Sequence, residues 1–436
     1  MANWHAFKAL GRYFLFDVRS NSLFTITETV HNYLHDLPVP EAERPQIAAD
    51  LAELKAAGYL SDLPDEVPVL KRDSSIKALC LHVSHDCNLR CKYCFAGTGP
   101  FGGNREQMSF EVGRQAIDLL LRESGNRRQL EVDFFGGEPL LNLEVVRQIM
   151  DYARDAQTKK EKDIHFTLTT NGIALTQPVR DFLNQYQLAL VLSIDGRREV
   201  NDRMRGAGVY DRIVPQYLDL IRSRGNQNYY VRGTYTANNL DFSEDVRHLY
   251  ELGFRELSLE PVVETGGPYR LSEEHLEQIE AEYEKLAQFY LEKKQAGAGF
   301  TFFHFEVSLE HGPCLPKRLT GCGAGFDYFA VTPAGELYPC HQFVGRKDYQ
   351  MGDVIQGVIR TDLREKFGAA TLYTKRGCSE CWSRFYCSGG CHANAQLLNG
   401  SIDKPDEMSC KMQRKRLECA LALKGIELEA QAAVAG

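Results

Sequence analysis

Apolar residues fall into short clusters whose spacing changes twice along the chain. Phe14-Leu-Phe-Asp-Val18 and Leu23-Phe-Thr-Ile-Thr27, on either side of Arg19-Ser-Asn-Ser22, predict a β-hairpin. Helical stretches follow at Glu28–Leu37 and Ala42–Ala57, the second stopped by Gly58. Pro64, Pro68 and the charged Lys71-Arg-Asp73 then predict a linker. From Ile76 to about Gln295 strand-like and helix-like stretches alternate. The predicted strands are Leu79–Ser84, Leu130–Phe135, Ile164–Thr170, Leu188–Ile194, Tyr229–Thr236 and Glu256–Pro261. Phe110–Glu123 and Tyr210–Arg224 read as amphipathic helices after the first and fourth. Ser272, with Glu273 and Glu274 behind it, predicts a further helix start. Such alternation predicts parallel strands joined by right-handed crossovers. Six units make an open, partial (β/α)6 barrel of TIM type, with functional residues at the C-terminal strand ends. Beyond about Gly299 the periodicity fades.

Composition narrows this picture. Of 436 residues, 43% are hydrophobic and 25% charged, a globular balance that excludes a disordered or fibrous chain. Lys and Arg number 51 against 59 Asp and Glu, and the net charge of −8 argues against a nucleic-acid or anionic-membrane surface. Apolar runs such as Leu188–Leu192 fall far short of the roughly 20 residues that span a bilayer. Lys8, Arg12 and Asp17 interrupt the first apolar stretch, so no signal peptide is legible and the cytoplasm is the expected location.

The 13 cysteines carry most of the chemistry. They occupy three clumps, Cys80 to Cys94, Cys314 to Cys340 and Cys378 to Cys419, with none from Phe95 to Pro313. In a long chain without an export signal, clumped C-x-x-C spacings point to metal rather than to disulfides. The segment from Gly299 onward holds nine of them, and bound metal would supply the order that periodicity does not. Cys87, Cys91 and Cys94 form C-x3-C-x2-C just after the first predicted barrel strand. Three thiolates on one loop suit a four-iron cluster with one iron left open. A structural zinc site wants four ligands, and His82 or His85 could serve as the fourth, so zinc is the alternative from this motif alone.

This motif in this place resembles the radical S-adenosylmethionine (SAM) enzymes. Phe134-Phe-Gly136-Gly137-Glu138-Pro139 at the second strand end is similar to the family's GGEP element, and the resemblance implies that Glu138 receives the methionine ammonium. Thr169-Thr-Asn171-Gly172 and Ser193-Ile-Asp195-Gly196 end the next two strands. By the same resemblance Ser193 and Arg205 hold SAM, Arg205 at its carboxylate, and Tyr93 borders the adenine. Cys322, Gly335-x4-Cys340, Cys378-x2-Cys381-x5-Cys387-x3-Cys391 and Cys410 resemble a SPASM domain, which carries two auxiliary four-iron clusters. That implies Cys322, Cys340 and Cys391 for auxiliary cluster I, and Cys378, Cys381, Cys387 and Cys410 for cluster II. Cys314 either completes cluster I or leaves one of its irons open. Cys80 and Cys419 read as buried apolar thiols.

The hairpin and helices of residues 1–72 resemble the winged-helix-like peptide (leader) recognition element of enzymes that mature ribosomal peptides, and the resemblances together imply 73–298 as the partial barrel and 299–436 as the SPASM domain. Asn126-Arg-Arg128 through Glu138-Pro139, Asn228-Tyr-Tyr-Val-Arg232-Gly-Thr and Val331 through Gly345 resemble, most specifically, the maturases of six-cysteine (SCIFF) peptides. The resemblance implies thioether crosslinks between a peptide cysteine and a carbon, made through a 5′-deoxyadenosyl radical. It further implies three four-iron clusters and SAM as cofactors. The partners implied are a short cysteine-rich precursor peptide with a leader and an electron donor such as ferredoxin or flavodoxin. Carbon–carbon crosslinking or formylglycine formation on a sulfatase are the neighbouring alternatives. A non-catalytic carrier with three clusters is the distant one, and it has no use for a SAM site.

Overall fold

The structure is a computed structural model that describes residues 3–61, 67, 73–310 and 314–435. Pro64, Pro68, Lys71 and Arg72 of the expected linker lie outside the described residues. The chain forms two compact units. One comprises Met1–Leu70, Ser272–Gly321 and Ala370–Gly436, the other Lys71–Leu271 and Cys322–Ala369.

In the first unit β1 (Trp4–Ala9), β2 (Arg12–Asp17) and β3 (Ser22–Ile26) form an antiparallel sheet in that order. The expected hairpin is β2–β3, and β1 extends it through a two-residue turn at Leu10 and Gly11, whose φ values of 52° and 71° are those a type I′ turn requires. Thr27 caps the helix Glu28–Leu34, and Arg44–Ala56 forms the second helix. Ala6 and Leu15 pack one sheet face against Leu34, Leu51 and Leu54 of these helices. Phe7, Phe14 and Phe16 on the other face are buried beside Trp382, with Phe7 and Phe14 rings 5.5 Å apart and Phe16 meeting Trp382 edge-on at 6.4 Å. Ser272 caps a short 3-10 turn, not the helix itself, and the helix Leu276–Gln295 follows it. That helix packs along Glu407–Ala435 and is tied to it by Lys415 on Glu284 at 2.5 Å.

In the second unit β4 (Ala78–Ser84), β5 (Gln129–Gly136), β6 (Asp163–Thr170), β7 (Ala189–Ser193), β8 (Tyr229–Tyr235) and β9 (Glu256–Pro261) lie side by side, every neighbouring pair parallel. Helices connect them, as the alternation predicts. β4 is buried along its whole length, which is why apolar residues do not alternate with polar ones from Ala78 to Leu81, and His82 and Ser84 are buried with them. Ser109 caps Phe110–Glu123, which turns Ala116, Ile117 and Leu120 inward. Tyr328–Val331, a strand the periodicity does not announce, pairs in parallel with the free side of β4. The sheet runs on, antiparallel, through Glu336–Tyr338, Gly352–Asp353 and Gly357–Val358. Among the described residues no helix is long and apolar enough to cross a membrane.

Candidate functional site

The C-terminal ends of β4 to β7 converge on the loop that follows Ser84. Short turns shape this loop, with the Cys94 N–H donating to the Cys91 carbonyl at 3.2 Å and the Gly97 N–H to that of Cys94 at 3.1 Å. The Lys92 N–H reaches the Met204 carbonyl at 2.9 Å and so anchors the loop to the helix Arg198–Arg205. Its sulfurs are already targets for donors. Cys87 Sγ accepts from the Leu89 N–H at 3.4 Å and from Asn171 Nδ2 at 3.5 Å, and Cys94 Sγ accepts from the Thr98 N–H at 3.3 Å. Such donors stabilise a thiolate and tune any cluster it holds. Burial works the other way, pushing the Cys91 thiol up to about 11, so binding here must exchange protons for iron.

Gly136 and Gly137 at the end of β5 are where the backbone must approach closely. Gly136 has φ +130°, and a Cβ on it would strike the Ser84 carbonyl; one on Gly137 would strike the carbonyl of Asp86. The Gly137 and Glu138 N–H groups donate to those same carbonyls at 2.8 and 2.9 Å. The two glycines thus clamp the strand end under the root of the cysteine loop.

Glu138 is fully buried. Its carboxylate accepts from the Leu140 N–H at 3.0 Å, Thr170 Oγ1 at 2.9 Å and the Asn171 N–H at 2.8 Å, joining the ends of β5 and β6. Burial nevertheless pushes its pKa up to about 7, against these three donors. A carboxylate offers about four lone-pair positions, so one remains for a further donor.

Asp195, also fully buried, is the second hub. It accepts from the Tyr93 hydroxyl at 2.8 and 2.7 Å, from Arg205 Nη2 at 2.8 Å and from the Thr234 N–H at 3.0 Å. Arg205 is 8% exposed, and its guanidinium lies 5.8 Å from the Tyr93 ring centre. Arg205 Nε, buried, has no hydrogen-bond partner. Ser193 ends β7 half-buried, its carbonyl accepting from the Tyr217 hydroxyl at 3.3 Å. Neither Asp195 nor Asn171 receives a role from the sequence reading, although both stand inside the strand-end motifs it singles out. His82 and His85 bond to each other at 3.1 Å among Phe101 and Phe135, which gives them a packing role.

Residues 81–259 match the radical SAM superfamily. This segment is a radical SAM domain. An uncharacterised protein of Methanocaldococcus jannaschii is 29% identical over 191 residues, 42% of this chain, which spans 62% of that relative's length. The radical SAM cyclopropyl synthase TigE of Paramaledivibacter caminithermalis is 22% identical over 79% of this chain and 74% of its own. The structure of anSMEcpe with bound AdoMet superposes with a TM-score of 0.66 at 20% identity, covering 80% of this chain and 99% of that one. Streptococcus suis SuiB bound to S-adenosylmethionine gives 0.55 at 17% identity, covering 94% and 99%. Both share the fold.

A radical SAM domain implies SAM and a four-iron cluster, and the residues present fit both. The unpartnered Arg205 Nε–H suits a carboxylate, and the one open position on Glu138 suits an ammonium. Among the described residues no group of three His, Cys, Asp or Glu side chains is arranged for a single metal ion. The donor set of the loop, three thiolates and no other ligand, is that of a cluster.

The other cysteines of the chain divide. Cys378, Cys381, Cys387 and Cys410 line one cavity of about 610 Å³ in the first unit, together with Arg376, Arg384 and Arg414. Burial pushes Cys378 up to about 11 and Cys410 up to about 12. Cys340 is buried and Cys322 exposed, both in the unit that holds β4 to β9; Cys391 and Cys314 are exposed and belong to the other. Cys80 in β4 and Cys419 in the C-terminal helix are 1% and 0% exposed, as their apolar settings suggest.

Proposed function

We propose that this chain is a radical SAM maturase that forms thioether crosslinks in a ribosomally made, cysteine-rich precursor peptide. The observation that carries the reading is the second cysteine site, four thiols lining one cavity outside the radical SAM domain. Taking a hydrogen atom from a peptide carbon and a proton from a peptide thiol, then closing the carbon–sulfur bond, leaves one electron over. A further redox site suits that surplus. Cys378, Cys381, Cys387 and Cys410 would hold auxiliary cluster II, and Cys322, Cys340 and Cys391 auxiliary cluster I. Residues 1–72 would form the leader-recognition element, 73–298 the barrel and 299–436 the SPASM domain. β3 ends the N-terminal sheet in the order β1-β2-β3, and an outer strand is what an extended peptide pairs with.

When bound to the reduced cluster at Cys87, Cys91 and Cys94, SAM supplies a 5′-deoxyadenosyl radical. The chain's own residues do the positioning. Arg205 Nε–H and Glu138 would grip the two charged ends of the methionine moiety. Asp195 holds Arg205 and Tyr93 in place, and Ser193 and Tyr93 would line the nucleoside side. Gly136 and Gly137 keep the cysteine loop seated on the strand ends.

The test is anaerobic reconstitution with SAM, a reductant and a cysteine-rich peptide carrying its leader. Expected are about twelve iron per chain, 5′-deoxyadenosine, and loss of two hydrogens and one free thiol per crosslink. Formylglycine, or a carbon–carbon link with every thiol intact, would refute the thioether reading. Cys314 is exposed at the start of the helix Leu315–Thr320, and we assign it no ligand role. Cys314→Ala should therefore keep auxiliary cluster I, with a spectrum that changes when peptide is added. Loss of that cluster would make Cys314 its fourth ligand.

A further inference from the structure

Beside the four-cysteine cavity lies a cation that neither the motif spacing nor the proposed reaction uses. Lys375, only 2% exposed, stands three residues before Cys378, whose N–H donates to the Lys375 carbonyl at 3.2 Å. Its ammonium donates to the carbonyls of Gly389 at 2.9 Å and Gly390 at 3.4 Å, and to His392 Nδ1 at 2.7 Å. Those acceptors surround the short connection between Cys387 and Cys391.

That connection is unusual. Ser388, Gly389 and Gly390 have φ values of 58°, 80° and 69°, three left-handed residues in a row. Such a run is costly for a chain of L-residues, most of all at Ser388, and persists only where its surroundings hold it. The ammonium of Lys375 is one such hold, because it gathers two of the turn's carbonyls. Gly389 shows the fit from the other side: a Cβ there would come within 2.8 Å of Lys375 Cδ. A side chain at 389 would therefore crowd the stem of Lys375. The same ammonium lies close enough to Cys378 and Cys387 for its charge to act on both sulfurs.

We propose that Lys375 is a positioning residue for the cluster at Cys378, Cys381, Cys387 and Cys410, pinning the turn after Cys387 and making the cluster easier to reduce. This rests on the reading above that these four cysteines hold a four-iron cluster. The electrostatic part follows from charge alone. Reduction adds an electron to an already anionic cluster, and a fixed cation in a desolvated site favours that added charge.

The experiment compares the reconstituted full chain with Lys375→Met, which keeps the stem, and Lys375→Arg, which keeps the charge. Iron content and the midpoint of each cluster, followed by electron paramagnetic resonance during redox titration, are the readouts. In Lys375→Met the midpoint of this one cluster should become more negative. A tenfold shift in its oxidised-to-reduced ratio corresponds to about 59 mV for a one-electron couple. The SAM cluster should not move, and Lys375→Arg should stay near the parent value. Loss of this cluster in Lys375→Met with retention in Lys375→Arg also supports the assignment. Full iron with an unchanged midpoint in Lys375→Met overturns it, as does an equal shift, or loss of the cluster, in both variants. A parent protein reconstituting only about four iron would remove the cluster reading first, and the inference with it.

Discussion

Glu138 shows how one side chain serves fold and ligand together. Its three internal donors make it a bracket between strand ends, while its remaining lone pair faces the place an ammonium would take. Glu138→Gln turns an amide NH2 toward groups that are themselves donors, and each unsatisfied buried donor costs about 1–3 kcal/mol. SAM binding to the variant, measured calorimetrically, should weaken about tenfold or more, since roughly 1.4 kcal/mol is a decade, and its melting temperature should fall. Binding at parent strength would confine Glu138 to the bracket. The pH dependence has a definite sign. Burial raises the carboxyl from its ordinary 4.5 to about 7, so between those values the folded chain binds more protons than the unfolded one. This group's contribution to stability therefore declines as pH rises from 4.5 toward 7, and the decline should be absent from denaturation curves of Glu138→Gln. SAM affinity should climb over the same interval, because the ammonium pairs with the ionised form. The residue types at this site were legible in the sequence; how they interlock was not. Gly-Gly-Glu-Pro announces a close backbone approach, yet nothing local says that the backbone approached is Ser84–Asp86, about fifty residues earlier. Asp195 is harder still, since its three partners come from three separate segments.

The parallel strands β4 to β9 could be read because they are short, rich in β-branched, aromatic and aliphatic residues, and mostly followed by a helix of amphipathic period. β1 could not, because Trp4-His-Ala-Phe-Lys-Ala9 mixes polar with apolar residues and its partner across the sheet face, Trp382, is remote in sequence. Tyr328–Val331 was obscured likewise, being a short strand that exists only because β4 offers it a free side. The joint between β5 and the cysteine loop invites a direct test. Gly137→Ala drives a methyl group into the Asp86 carbonyl, and relieving that overlap separates strand end from loop at a cost of about 1–3 kcal/mol. Reconstituted Gly137→Ala should lose the SAM cluster, about four iron, while any iron held by the proposed auxiliary sites stays. Iron assay and absorption spectra decide it; a full complement with parent SAM cleavage would show that the loop tolerates the displacement.

Deleting residues 1–72 is an obvious way to separate a leader-guided maturase from a sulfatase modifier, but within its own unit the N-terminal sheet also covers apolar surface. Phe7, Phe14 and Phe16 are 3%, 0% and 1% exposed, and Trp382 beside them 7%. Each such side chain contributes about 1.5–3 kcal/mol by its burial. A chain beginning at residue 73 should thus unfold at lower temperature or aggregate, as size-exclusion chromatography and thermal melts would show. If it remains monomeric with an unchanged melt, the sheet is a detachable module and the deletion becomes the cleaner functional test.

The interleaving of the two units has a consequence for how the protein is made. The unit that holds β4 to β9 has all its residues once Ala369 has been synthesised, whereas the other unit, which includes residues 1–70, lacks residues 370–436 until the end. At about 5–20 residues per second, strands β1 to β3 wait roughly 20–70 s between their own emergence and that of Trp382. Throughout that interval Phe7 and Phe16 lack the Trp382 ring they meet in the folded unit, and transiently exposed apolar surface of this kind favours aggregation. Iron acquires a schedule too. Cys87, Cys91 and Cys94 belong to the unit completed first, while the cluster proposed for the four-cysteine cavity would wait for Cys410, the last of its thiols to leave the ribosome.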